Sequence, residues 1–282
     1  MNTKLIIVEG LPGFGKSTTA NFIRDLLEEK GIKNQLFLEG NLDHPADYDG
    51  VSCHTEAELQ HLLSNHLEVK DILQNNVVEK GDKYFLPYQK MKNEYGSKLS
   101  TELFNEIFKK DIYELALDQN INLIVDKWTE FAQHALNENK TYIFECCFIQ
   151  NPVTVGMIKY NASKEVVRDY VHRLQEVIKG LDPLLIYVEQ DDLEFSFKKA
   201  IQERPQEWSE GFVNYYTNQG YGKAKGYKGI EGTIKVLEAR RLLEEEIYDS
   251  LGIKKVKINN SNYEGKNYKQ TLSDVLMCNF YK

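Results

Sequence analysis

Residues 10–17 read Gly-Leu-Pro-Gly-Phe-Gly-Lys-Ser, one residue after the apolar run at 5–8. The spacing is G-x-x-x-x-G-K-[ST]. A strand that runs into such a loop and on into a helix exposes a set of unpaired backbone N–H groups. Glycines allow backbone angles closed to other residues, so these donors turn inward and form an anion cradle. The helix N-terminus adds its dipole and more free donors. The arrangement holds the phosphates of a nucleoside triphosphate, with Lys16 reaching the β- and γ-phosphates and the Ser17 hydroxyl on Mg²⁺. Thr18 is expected near the α-phosphate. The cradle thus takes in Gly10, Pro12, Gly13, Phe14, Gly15, Lys16, Ser17 and Thr18.

The flanking pattern supplies the context this motif needs. Ala20, Ile23, Leu26 and Leu27 share one helical face, and Gly31 is placed to stop that helix. An apolar stretch at 35–38 reads as a second strand. Further strands are expected at 141–145, 184–188 and 253–258. Helices are expected at 16–30, 55–73, 99–117, 121–135, 164–179, 191–203 and 230–251. Thr55 and Glu58 form a capping box for the second of these. Lys80-Gly81-Asp82 suggests a hairpin turn, and Asn151-Pro152 a break. NQGYGKAKGYKGIEG, at 218–232, reads as a loop whose lysines either close on phosphate or stay solvated. The expected fold class is α/β: one P-loop three-layer α/β/α domain over 1–282 with five parallel strands. It carries a mostly helical insert at about 54–140 and a lid-like region at about 191–229.

Composition narrows the function. A net charge of −8 argues against a nucleic-acid partner. No apolar stretch approaches the roughly 20 residues of a membrane span, and the N-terminal run is too short for a signal peptide. The cysteines, Cys53, Cys146, Cys147 and Cys278, form no C-x-x-C pair. That favours reduced thiols in a cytoplasmic protein over disulfides or a thiolate zinc site.

Other candidates follow from position. Glu39 closes the second strand, where ligands bind in open α/β sheets, and a carboxylate there can take a proton from an acceptor hydroxyl. Glu145 closes the apolar strand Tyr-Ile-Phe-Glu and can hold Mg²⁺ directly or through water. Arg204, in Glu-Arg-Pro after the fourth strand, can bring positive charge to a transferring phosphoryl group, with Arg168 and Arg173 as reserves. Asp43 and His44 lie just after Glu39 and are acceptor-contact candidates. A metal site built on His44 and its neighbouring aspartates is the alternative there. Tyr84 and Tyr88, with Phe85 between them in sequence, either pack or stack on a planar acceptor. Trp128 and Trp208 read as packing.

On GLPGFGKS and this strand order, the chain resembles the P-loop kinase-like NTPases. The resemblance implies a phosphotransferase using ATP and Mg²⁺. In the deoxynucleoside kinases a glutamate placed like Glu39 is the base, and a Glu-Arg-Ser motif stands where this chain has Glu145-Cys146-Cys147. The arginine of that motif is missing here. The acceptor is then a small molecule: a nucleoside or nucleotide, a sugar or an antibiotic. The alternative is a nucleotide-dependent regulatory NTPase or switch acting on a protein partner. No N-K-x-D guanine motif stands near LLIYVEQDD. A P-loop reads phosphate, so the choice between ATP and another triphosphate stays open, as does a homodimer.

Overall fold

The structure is a computed structural model that describes residues 3–262 and 265–280. In chain order the elements are β1 (Leu5–Glu9), α1 (Lys16–Glu29), β2 (Asn34–Phe37), β3 (Ser52–His54), α2 (Glu56–Asn65), α3 (Lys70–Asn76), β4 (Val78–Lys80), β5 (Lys83–Leu86), α4 (Tyr88–Tyr95), α5 (Thr101–Phe108) and α6 (Leu117–Leu136). They continue with β6 (Thr141–Glu145), α7 (Gln150–Val153), α8 (Lys164–Ile178), β7 (Leu184–Glu189), α9 (Leu193–Glu203), α10 (Gln206–Thr217), α11 (Gly220–Ala224), α12 (Gly229–Ser250), β8 (Lys254–Asn259) and α13 (Gly265–Phe280).

The chain divides into two compact units, Met1–Glu39 with Trp128–Lys282, and Gly40–Lys127. The first carries a five-stranded sheet in the order β2-β6-β1-β7-β8, parallel throughout. Every residue of β1 and β6 is buried. Fully buried central strands of this kind require cover on both faces, which is the expected α/β/α arrangement. The edge strand β8 instead reads Lys-Lys-Val-Lys-Ile-Asn and is mostly exposed or half-buried, so lysines guard the open edge. α1 packs on β1, β2 and β6, and α13 packs on α1.

Aromatic packing fixes α6 to the sheet. Trp128 is fully buried, with ring centroids 6.2 Å from Phe131, 5.7 Å from Phe144 and 5.8 Å from Phe148. A buried ion pair ties α12 to β7: Arg240 Nε donates to Glu244 Oε1 at 2.6 Å, and the Tyr187 hydroxyl donates to Glu244 Oε2 at 2.7 Å.

The second unit is mostly helical, but its bounds differ from the 54–140 expected for the insert. It begins at Gly40, ends at Lys127 and contains an antiparallel sheet, β3-β5-β4. β4 and β5 form the expected hairpin, with Gly81 at φ 62° in its turn. β3 escapes a pattern reading because three residues show no periodicity. The capping box is present: the Glu58 N–H donates to Thr55 Oγ1 at 3.3 Å, and the Thr55 N–H to Glu58 Oε2 at 2.9 Å. Leu59, Leu62, Leu63, Leu73, Met91, Leu103 and Ile107 form this unit's core.

Other expectations need correction. The helix expected at 99–117 stops at Phe108, because the Asp111 carboxylate takes the Tyr113 N–H at 2.7 Å and turns the chain. Pro152 does not break the chain. It sits in the first turn of α7, where a missing N–H costs nothing. The stretch after Pro205 is helical as α10, and 218–232 contains α11 and the start of α12 instead of one long loop. α4 and α13 had no counterpart in the expected elements. Among the described residues, no helix is long and apolar enough to cross a membrane.

Trp128→Ala should lower the unfolding free energy by about 3–5 kcal/mol, the usual cost of emptying a buried aromatic site. Denaturant unfolding measures it, and a loss below about 1 kcal/mol would contradict the central place given to this ring.

Candidate active site

The loop between β1 and α1 has the conformation its sequence demands. Gly10 has φ 142°, and a Cβ there would meet the Val188 carbonyl oxygen at 2.4 Å. Gly15, at φ 91°, is the N-cap of α1, and no side chain caps that helix. The first N–H groups of α1 therefore lack a side-chain acceptor and are available to an anion. From behind, Asn260 Nδ2 donates to the Phe14 carbonyl at 2.9 Å and holds the loop to the end of β8.

Beside the loop stand two strand-end acids. Ser17 Oγ donates to Glu145 Oε1 at 2.6 Å, and the Glu39 backbone N–H donates to Glu145 Oε2 at 3.2 Å. Gln150 Nε2 donates to Glu39 Oε1 at 2.8 Å. Lys16 is buried, and its Nζ donates to the Leu11 carbonyl at 3.1 Å. Burial alone would lower the lysine pKa, but Cys146, Glu39, Glu145 and Glu9 outweigh it and the net shift is upward. Lys16 thus stays a cation inside the fold.

The donor atoms of Glu39, Glu145 and Cys146 lie within 4.8 Å of one another. Ser17 and Glu145 offer adjacent oxygens, the donor type Mg²⁺ takes, so the residues present fit that ion. Cys146 does not fit it. Burial, against the pull of Lys16, holds its thiol far above the ordinary range, and sulfur is a soft donor. Its φ of 71° is a strained conformation for a residue with a side chain.

Three further residues were not among the sequence candidates. Glu9 ends β1, fully buried, and its carboxylate accepts the backbone N–H groups of Phe148 at 2.7 Å, Ile149 at 2.9 Å and Gln150 at 3.0 Å. The strand-end logic that singled out Glu39 and Glu145 applies equally to Glu9. Arg240 is fully buried. Its Nη1 donates to Thr154 Oγ1 at 2.9 Å and to the Tyr216 hydroxyl at 2.5 Å, and its Nη2 to the Gln150 carbonyl at 3.2 Å. Neither Arg240 nor Gln150 carries a sequence signal.

A cavity of about 830 Å³ opens at the loop. Pro12, Gly13, Gly15, Lys16, Ser17, Thr18, Glu39, Glu145 and Arg204 all line it. So does Trp208, which is therefore more than packing. The Arg204 guanidinium lies over the Trp208 ring, 4.1 Å from its centroid. Arg168 and Arg173 are on α8 and are not lining residues, and no lysine of 218–232 lines the cavity.

Asp43, His44, Tyr84 and Tyr88 fall in the second unit and have local partners there. Asp43 pairs with Lys90. The Ala46 N–H donates to His44 Nδ1 at 3.1 Å, and burial together with Lys127 pulls the imidazole pKa down to about 3. Tyr84 sits in β5 opposite His54 and Glu79, and the Tyr88 hydroxyl donates to Asp111 Oδ2 at 2.7 Å.

The structure is similar to that of a thymidylate kinase from Candida albicans, with 12% sequence identity over 99% of this chain and 92% of that one, at a TM-score of 0.40. No family model and no curated protein matches the chain.

Glu9 gives the site a pH signature. Burial raises its pKa from 4.5 to about 7; the Ile149 N–H pulls back, Glu244 pushes further up, and the other two N–H groups pull back. The folded state holds this proton more tightly than the unfolded chain. Its stabilisation is therefore complete below about pH 4.5 and is lost as pH rises towards 7. Measured against Glu9→Gln in denaturant titrations, the stability of the wild-type protein should fall by about 3 kcal/mol across this window. A difference that stays constant with pH would contradict the assignment.

Proposed function

We propose that the chain is a phosphotransferase that moves the γ-phosphoryl group of ATP to a hydroxyl or phosphate of a small molecule. The observation that carries this reading is the hydrogen bond from Ser17 to Glu145, with Glu39 one hydrogen bond away and all three lining one cavity with the loop. A loop that only binds a nucleotide needs no second strand-end carboxylate beside its hydroxyl. A transferase needs one group for the metal and another for the acceptor.

In this reading the loop N–H groups and Lys16 hold the phosphates and fix the γ-phosphorus in the cavity. Ser17 and Glu145 hold Mg²⁺, which when bound neutralises charge on the phosphate oxygens. Gln150 holds Glu39 through Oε1, and Glu39 Oε2 takes the proton of an acceptor hydroxyl. A phosphate acceptor would need no such base. Arg204, kept on the cavity wall by Trp208, supplies positive charge to the transferring group.

ADP release from ATP·Mg²⁺, with and without a panel of nucleosides, nucleotides, sugars and aminoglycosides, tests the proposal. One acceptor class should raise turnover well above background. Lys16→Ala should lower that turnover at least about 100-fold. With a hydroxyl acceptor, Glu39→Gln should lower kcat about 10²- to 10⁴-fold. Failure of the wild-type protein to bind ATP would overturn the reading. Nucleotide binding with no acceptor response would favour the regulatory NTPase instead.

A further inference from the structure

Gln150 has four polar groups, and three of them are fixed. Its N–H meets Glu9, its carbonyl meets Arg240, and Nε2 meets Glu39. The fourth, Oε1, has no hydrogen-bond partner among the described residues, although Gln150 is only 7% exposed and lines the cavity. A buried oxygen left this way is destabilising until something donates to it. The amide cannot turn over to relieve it. Turning would set Oε1 against the Glu39 carboxylate, acceptor against acceptor. The side chain thus carries an unsatisfied acceptor beside the proposed base, in a residue that lines the cavity.

A row of rings on α10 continues this wall. Trp208, Phe212 and Tyr216 recur every four residues. Trp208 and Phe212 lie 5.1 Å apart at 33°, and Phe212 and Tyr216 lie 4.1 Å apart at 15°. All three line the cavity, and Trp208 and Phe212 are only partly buried. The row ends at the Tyr216 hydroxyl on Arg240, the residue that also holds the Gln150 carbonyl. One connected chain of contacts therefore joins the aromatic wall to the backbone of Gln150.

We propose that Gln150 Oε1 reads the phosphoryl acceptor by accepting a hydrogen bond from an N–H or O–H on a planar ring that lies against the α10 aromatic row. This rests on the phosphotransferase reading and narrows its acceptor to ring compounds with a donor. One amide then does two things: Nε2 aligns Glu39, and Oε1 aligns the molecule whose hydroxyl Glu39 deprotonates. Ligands lacking the donor are rejected because they leave Oε1 unpaired.

The test is equilibrium binding of matched ligand pairs in the presence of Mg²⁺ and a non-hydrolysable ATP analogue. The pairs are uridine with 3-methyluridine, inosine with 1-methylinosine, and pyridoxine with its 3-O-methyl ether. The wild-type protein should prefer the donor-bearing member of at least one pair about tenfold or more. Gln150→Met, of similar length with no acceptor oxygen, should bring that ratio close to one. Glu39→Gln removes the base and leaves Gln150 in place with an acceptor for its Nε2, and it should retain the preference. A role confined to positioning Glu39 would change both variants alike. Because each ratio is taken within one variant, a general loss of affinity cancels, and binding of the ATP analogue reports that each variant is folded. Equal binding within every pair, a preference that survives in Gln150→Met, or no binding of any ring compound while the ATP analogue binds would each overturn the inference. Failure of the wild-type protein to bind the analogue would instead overturn the phosphotransferase reading beneath it.

Discussion

Val8 pairs with Glu145 across the centre of the sheet, and this register decides where the chemistry can occur. Parallel strands end on the same side, so the loop leaving β1 and the acid closing β6 emerge together. β2 flanks β6, with Phe37 opposite Phe144, so Glu39 follows on the same side two residues later. Three strand ends therefore converge without a long-range loop to gather them. A one-residue slip of β6 would turn Glu145 to the other face of the sheet and leave Ser17 without its partner. The apolar faces of β1 and β6 resist such a slip, since it would reverse which residues meet Trp128 and its aromatic neighbours.

A second layer of polar contacts holds this convergence in place. Glu9 pins the turn after Cys146 by accepting three N–H groups in succession, and Arg240 holds the same turn from the α12 side. Between them Gln150 reaches Glu39. Buried ionic groups of this kind contribute little net stability against an apolar core of the same shape, and removing one partner is costly. Their presence so close to the loop is better understood as a way of fixing geometry. The strained backbone at Cys146 belongs to the same turn and is held by a hydrogen bond from its N–H to Val8.

Much of this frame was legible in the sequence. The loop, the five strands, α1, the capping box at Thr55 and the β4–β5 hairpin each carry a local signal: fixed spacing, periodicity or turn chemistry. Glu39 and Glu145 could be found because strand ends are where α/β sheets bind ligands. α10 was hidden because Pro205 and Gly211 interrupt a pattern whose apolar residues are mostly aromatic, so Trp208 was assigned to packing. Gln150 and Arg240 could not be found. Their roles come from contacts 90 residues apart in the chain, between Gln150 on α7 and Arg240 on α12, and no spacing rule anticipates them. The same holds for Asp43, His44, Tyr84 and Tyr88, whose polarity and clustering in sequence say nothing about their local partners.

The central claim is that Ser17 and Glu145 form one metal-dependent nucleotide site with the loop. Calorimetric titration of ATP into the wild-type protein and into Glu145→Gln, each with Mg²⁺ and with a chelator, tests it most directly. The account predicts that Mg²⁺ tightens ATP binding to the wild-type protein by about tenfold or more and that Glu145→Gln loses most of this gain. Equal ATP affinity with and without Mg²⁺, or an undiminished Mg²⁺ effect in Glu145→Gln, would contradict it.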